Sequence, residues 1–86
     1  MLTTQDKPRI KWACRRGMLE LDMSIMPFFE ECFDHLSESE KYNFIALLEY
    51  DDPDLFAWLV GHTHSEKHEL SSIIEKIIAY NRSKLH

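Results

Sequence analysis

Glycine, proline and cysteine are all scarce in this sequence, at two, three and two residues of 86. Few glycines leave few places where the backbone can turn left-handed or be approached closely. Few prolines leave most segments free to run as helix. The two cysteines, Cys14 and Cys32, stand far apart and form neither a Cys-x-x-Cys motif nor a disulfide framework. Buried free thiols are therefore expected. No alternating apolar–polar stretch of useful length occurs, which excludes a sheet. No apolar run is long enough to span a bilayer, and residues 1–7 carry no apolar signal segment. The expected setting is a reducing cytoplasm. Basic charge is also short: ten Lys and Arg against fifteen Asp and Glu leave a net charge of −5. Such a chain is repelled by phosphate backbones and by anionic membrane surfaces, so neither nucleic acid nor membrane is an expected partner. Gly-rich phosphate loops, Ser-His-Asp sets and dinucleotide fingerprints are absent too.

What remains is helix. Apolar residues make up 44% of the chain, an ordinary share for a globular domain. The length allows one domain over residues 1–86, with flexible tails at 1–5 and about 82–86. Asp6 caps a first helix that carries Pro8 in its first turn and an apolar face of Ile10, Ala13 and Cys14. Trp12 falls off that face, either packed under the chain or exposed for a partner. A second helix is predicted over residues 18–35, with Leu21, Ile25, Phe28, Phe29, Cys32, Phe33 and Leu36 at helical spacing. Pro27 lies inside it and predicts a kink near residues 23–27, or a break into two helices. Ser37 and Glu40 read as a capping box for a third helix to about Tyr50, with Phe44, Ile45, Leu47 and Leu48 facing the core. Asp52 and Pro53 start a short, largely buried fourth helix that carries Leu55, Phe56, Trp58, Leu59 and Val60 and ends at Gly61. Thr63 or Ser65 caps a fifth helix with the cleanest apolar stripe of all, Leu70, Ile73, Ile74, Ile77 and Ile78. The expectation is an all-α, compact five-helix bundle.

The first and second helices meet at Arg15-Arg16-Gly17, where a glycine after two arginines reads as a left-handed helix terminator. Arginines suit the negative end of one helix, and Glu20 and Asp22 suit the positive start of the next. Arg16 and Glu20 are expected to meet across this corner, both close to water. One reading makes the corner a hinge that only sets a helix angle. The other makes it a recognition surface, with Arg16 and Glu20 as paired donor and acceptor and Gly17 allowing close approach. Two further clusters carry less. His62, His64 and His68 lack standard zinc spacing and a nearby cysteine, so no metal is expected. Asp51, Asp52 and Asp54 surround Pro53, where Asp52 and Asp54 have helix-start roles and Asp51 is left for a partner's rim.

The string Arg16-Gly17-Met18-Leu19-Glu20 resembles the Arg-Gly-x-x-Glu motif of the SdhE family of flavinylation factors, which assemble succinate dehydrogenase. The likeness continues through Leu21-Asp22, Ile25-Met26-Pro27-Phe28-Phe29, Leu47-Leu48-Glu49 and the Asp51-Asp52-Pro53-Asp54-Leu55-Phe56-Ala57-Trp58-Leu59 string, and covers roughly residues 7–80. The resemblance implies a five-helix fold and an assembly factor, not an enzyme. Such factors bind the flavoprotein subunit of succinate dehydrogenase, often that of fumarate reductase as well, and promote covalent attachment of FAD to a histidine of that subunit. It implies partner contacts at Arg16, Gly17 and Glu20, with Trp12, Arg15, Asp22 and Asp51 as neighbours. The chain itself is expected to hold no FAD stably. Members of the family have also carried an antitoxin label, so the alternative is a regulatory protein-binding module.

Overall fold

Apolar periodicity decides most of the architecture. In the computed structural model, which describes residues 6–61, 63 and 68–84 (backbone alone for 68, 69 and 84), there are five α-helices, one 3-10 turn and no strand. The helices are α1 (Asp6–Ala13), α2 (Leu19–Cys32), α3 (Glu38–Leu48), α4 (Asp52–Leu59) and α5 (His68–Lys84). The 3-10 turn, Phe33–His35, follows α2 directly. Among the described residues no helix is long and apolar enough to cross a membrane.

The core sits between α2 and α5, with α3 and α4 closing its sides. Leu21, Ile25, Phe28 and Phe29 of α2 meet Leu70, Ile73, Ile74 and Ile77 of α5, the stripe expected from the sequence. Phe28, Phe29, Phe33 and Phe44 form an aromatic cluster with ring centroids 5.0–6.2 Å apart. Tilted and offset rings at such spacing add to the stabilisation from buried area alone. Helix α1 contributes only Ile10 and, just past its end, Cys14 to this core. Two ion pairs, Lys7–Asp34 at 2.6 Å and Lys11–Glu30 at 3.6 Å, also tie it to the far end of the α2 segment. Both are exposed at each partner and contribute little.

Several expectations change in detail. The second helix stops at Cys32 and tightens into the 3-10 turn, instead of running to His35 as α-helix. Pro27 sits inside an unbroken α2, so the two-helix alternative does not occur. Having no N–H, Pro27 leaves the Met23 carbonyl without its helical donor. Beside it, Asn81 of α5 donates from Nδ2 to the Ser24 carbonyl at 3.1 Å and braces this turn. The Ser37–Glu40 capping box forms as read, with bonds of 3.2 and 2.9 Å. Helix α3 ends at Leu48, two residues short of Tyr50. Its Ile45 is half-buried, unlike Phe44, Leu47 and Leu48.

Helix α4 is capped by Asp51 and not by Asp52. Asp51 has the extended backbone of an N-cap, and its carbonyl accepts from the Asp54 and Leu55 amides. Asp52 is already helical, and its carboxylate accepts from Arg16. Nor is α4 largely buried: only Leu55 and Leu59 are. Phe56 is exposed, and Trp58 is half-buried edge-on against Tyr50, with centroids 5.2 Å apart. The cap expected at Ser65 lies outside the described residues. Thr63 donates its amide to the Ala57 carbonyl near the end of α4. Helix α5 continues to Lys84, into the segment expected to fray.

Both cysteines are free, Cys14 fully buried and Cys32 half-buried. Burial pushes the Cys14 thiol up to about 12, against a smaller opposing pull from the nearby Arg16 charge. At ordinary pH Cys14 therefore stays a thiol and not the reactive thiolate. At pH 8 a thiol reagent should modify Cys32 first, and Cys14 only as the chain opens. Titration of free thiols with and without urea checks this, and two fast-reacting thiols in the native protein would contradict it.

Candidate functional site

The corner between α1 and α2 contains a left-handed glycine, but Gly17 does not end α1 as expected, because the helix already stops at Ala13. Helix α1 closes with the Cys14 amide donating to Ile10 and Lys11 and the Arg15 amide donating to Trp12. Gly17 then adopts φ +80, and Met18 returns to extended backbone before α2 begins at Leu19. Met18 offers no side-chain cap. Asp22, in the first turn of α2, reaches back instead and accepts the Arg16 amide at 2.8 Å. The carboxylate satisfies a donor at the corner and lies at the positive end of the α2 dipole.

Arg16 points the other way from expectation. Its side chain turns inward, 16% exposed, into the turn between α3 and α4. Nε donates to Asp52 Oδ1 at 2.8 Å, Nη1 to the Ala13 and Leu48 carbonyls at 3.0 and 2.9 Å, and Nη2 to the Tyr50 carbonyl at 2.8 Å. Four of the five guanidinium donors are thus used inside the molecule. Ala13 and Leu48 are the last residues of α1 and α3, so the cation also sits at two negative helix ends. A lysine has no planar fork to serve these acceptors together. The expected Arg16–Glu20 pair does not form.

Glu20 is exposed in the first turn of α2, and among the described residues its carboxylate joins no ion pair or side-chain hydrogen bond. Gly17 beside it is exposed, and a methyl group placed on it would meet no heavy atom within 4 Å. Trp12 is 73% exposed, with the Arg15 guanidinium 5.9 Å from its ring centroid. This places Trp12 at the surface, the outcome the sequence left open. Leu19 and Met23 are 69% and 64% exposed. They were missed in the sequence, although their one-turn spacing off the Leu21–Ile25 stripe is a readable sign of an outward apolar pair. Glu20 and Met23 also line a surface groove with Val60, Ile78 and Arg82. Asp51 is exposed at the start of α4, and Asp52 brings that turn against the corner through Arg16. The two strings that stood out in the sequence, Arg16 to Glu20 and Asp51 to Trp58, therefore meet in one place.

His62 and His64 lie outside the described residues, as does the His68 side chain. Among the described residues no three His, Cys, Asp or Glu side chains are grouped to hold a metal ion.

A left-handed glycine, an unpaired carboxylate and a rim of exposed Trp, Leu and Met on a five-helix scaffold have the make-up of a docking protein. The chain belongs to the family described as flavinator of succinate dehydrogenase (Sdh5), which matches residues 8–81. It is 64% identical to the FAD assembly factor SdhE of Vibrio cholerae over 85 residues, covering 99% of both chains. It is 53% identical to the FAD assembly factor SdhE of a Serratia strain over 79 residues, covering 92% of this chain and 90% of the relative. The fold is similar to the solution structure of a UPF0350 protein, with a TM-score of 0.80, 64% identity, and coverage of 99% of this chain and 90% of the other.

Proposed function

We propose that this protein is a cytoplasmic FAD assembly factor that binds the flavoprotein subunit of succinate dehydrogenase and promotes covalent attachment of FAD. The flavoprotein of fumarate reductase is a second client of the same surface. The factor holds no FAD of its own and does no bond chemistry. It docks through the α1–α2 corner and holds the flavoprotein with flavin and acceptor histidine aligned, and the flavoprotein completes the bond itself. Alignment alone can lower a barrier by several kcal/mol. Gly17 admits the partner's surface, and Glu20 accepts a donor or a positive group from it. Trp12, Arg15, Asp22 and Asp51 surround the contact, with Arg16 behind it.

The observation that carries this reading is Glu20, exposed and unpaired one turn from a left-handed glycine, within the segment that matches the family. The test mixes purified apo flavoprotein subunit with FAD, with and without this protein, and reads covalent flavin by fluorescence in a denaturing gel. Stimulation supports the role. No stimulation by folded protein, where an established factor works, sinks it and favours a regulatory binder. Gly17→Ala probes the close approach. The substitution should cost about 1–2 kcal/mol through backbone strain alone. Loss of stimulation beyond what that instability explains marks Gly17 as a contact, while stimulation that tracks the folded fraction does not.

A further inference from the structure

We infer that Asp52 is a positioning residue for docking, acting through Arg16 to hold the α1–α2 corner in its binding geometry. The inference rests on the docking role proposed above. Asp52 occupies the first turn of α4, one residue past the Asp51 N-cap, whose side chain makes no cap hydrogen bond. The Asp52 carboxylate accepts Arg16 Nε at 2.8 Å, across 36 positions of chain. It is the one charged acceptor on that guanidinium; the other three are backbone carbonyls.

Besides this ion pair, the corner is held by the Arg16 bonds to the Leu48 and Tyr50 carbonyls and by the Arg16 amide on Asp22. Helix α1 buries Ile10 and Cys14, and its two ion pairs are exposed and lie toward the opposite end of the α2 segment. Gly17 itself is the most permissive residue at the bend. The Arg16–Asp52 pair is therefore the charged link from the Gly17 corner to the α3–α4 turn. Holding the corner in place lowers the cost of ordering it on binding. Helix α4 itself stays anchored by its two core residues, Leu55 and Leu59, whatever stands at position 52.

The test uses Asp52→Ala, Asp52→Asn and Asp52→Glu in the full chain. Thermal melts read the fold, the Arg16 Nε–H resonance reads the link by NMR, and flavin attachment is titrated against factor concentration. Asp52→Ala should stay folded at assay temperature and lose the protected Nε–H signal. If it leaves the corner competent about a tenth of the time, the half-saturating concentration rises about tenfold with the maximal rate unchanged. Asp52→Glu should restore both the signal and most of the potency, which a residue needed only for folding would not require. An unchanged titration curve in a folded Asp52→Ala protein overturns the inference. If Asp52→Ala does not fold, Asp52→Asn is judged by the same two readouts, and failure of both to fold makes Asp52 a fold residue and overturns it too. Wild-type protein that gives no stimulation removes the docking reading and this inference together, whereas wild-type stimulation with an unchanged Asp52→Ala curve removes the inference alone.

Discussion

Glu20→Ala is expected to abolish stimulation of flavin attachment while shifting the melting temperature by no more than about 3 °C. The small stability effect follows from three local terms. Glu20 makes no side-chain bond among the described residues, so no partner is orphaned. Its favourable place at the α2 N-terminus is worth about 0.3–1 kcal/mol at an exposed site. Alanine returns a few tenths of a kcal/mol through helix propensity, roughly offsetting that loss. The large functional effect follows from the docking role proposed for this carboxylate, which no other described residue engages. Parallel thermal melts and covalent-flavin gels check both halves. A folded Glu20→Ala protein with full stimulation would remove Glu20 from the contact surface. An unfolded one would return the corner to a purely structural role.

Arg16→Ala should behave in the opposite way, losing about 5 kcal/mol of stability. The substitution leaves the Leu48 and Tyr50 carbonyls without their donor and Asp52 without its cation. Each of these bonds has a charged donor and is worth about 1.5 kcal/mol or more net. The ion pair belongs at the lower end for buried pairs, because Asp52 keeps about a third of its side chain in water (32%). A chain of this length has on the order of 5–10 kcal/mol in total, so the loss is a large fraction. Urea unfolding should show a lower midpoint with an unchanged slope. Cys14, buried just before Arg16 in the chain, should become faster to label. A loss below about 1 kcal/mol would mean that water replaces these bonds without cost. Arg16→Ala and Glu20→Ala can thus give equally inactive proteins for different reasons, and only stability measurements separate them.

Which residues touch a partner and which hold the corner is where sequence and structure part company. At the proposed docking corner the arginine and the glutamate of the Arg-Gly-x-x-Glu string stand in unlike surroundings, Arg16 bonded inward and Glu20 exposed. Asp22, expected only as a neighbour, accepts the Arg16 amide and helps to build the corner. Asp52, assigned to capping, gives that role to Asp51 and becomes the counter-ion of Arg16. Leu19 and Met23 enter the surface only once the core stripe of α2 is oriented.

Helix identity was determined by the sequence alone, because periodicity and capping depend on residues within about four positions, whereas the ends of α1, α2 and α3 and the cap of α4 were not. The Ser37 capping box, the left-handed Gly17 and the Leu70–Ile77 stripe were all legible for that reason. Family membership was legible too, since a motif of fixed spacing is local. The direction of Arg16 was not. Its acceptors Leu48, Tyr50 and Asp52 lie 32, 34 and 36 positions away, and no local propensity speaks for a bond across that distance. Packing of α3 and α4 against the core brings those oxygens to the corner, and a buried cation then takes the acceptors nearest to it. Glu20 is left facing water by the same step, with its charge unspent.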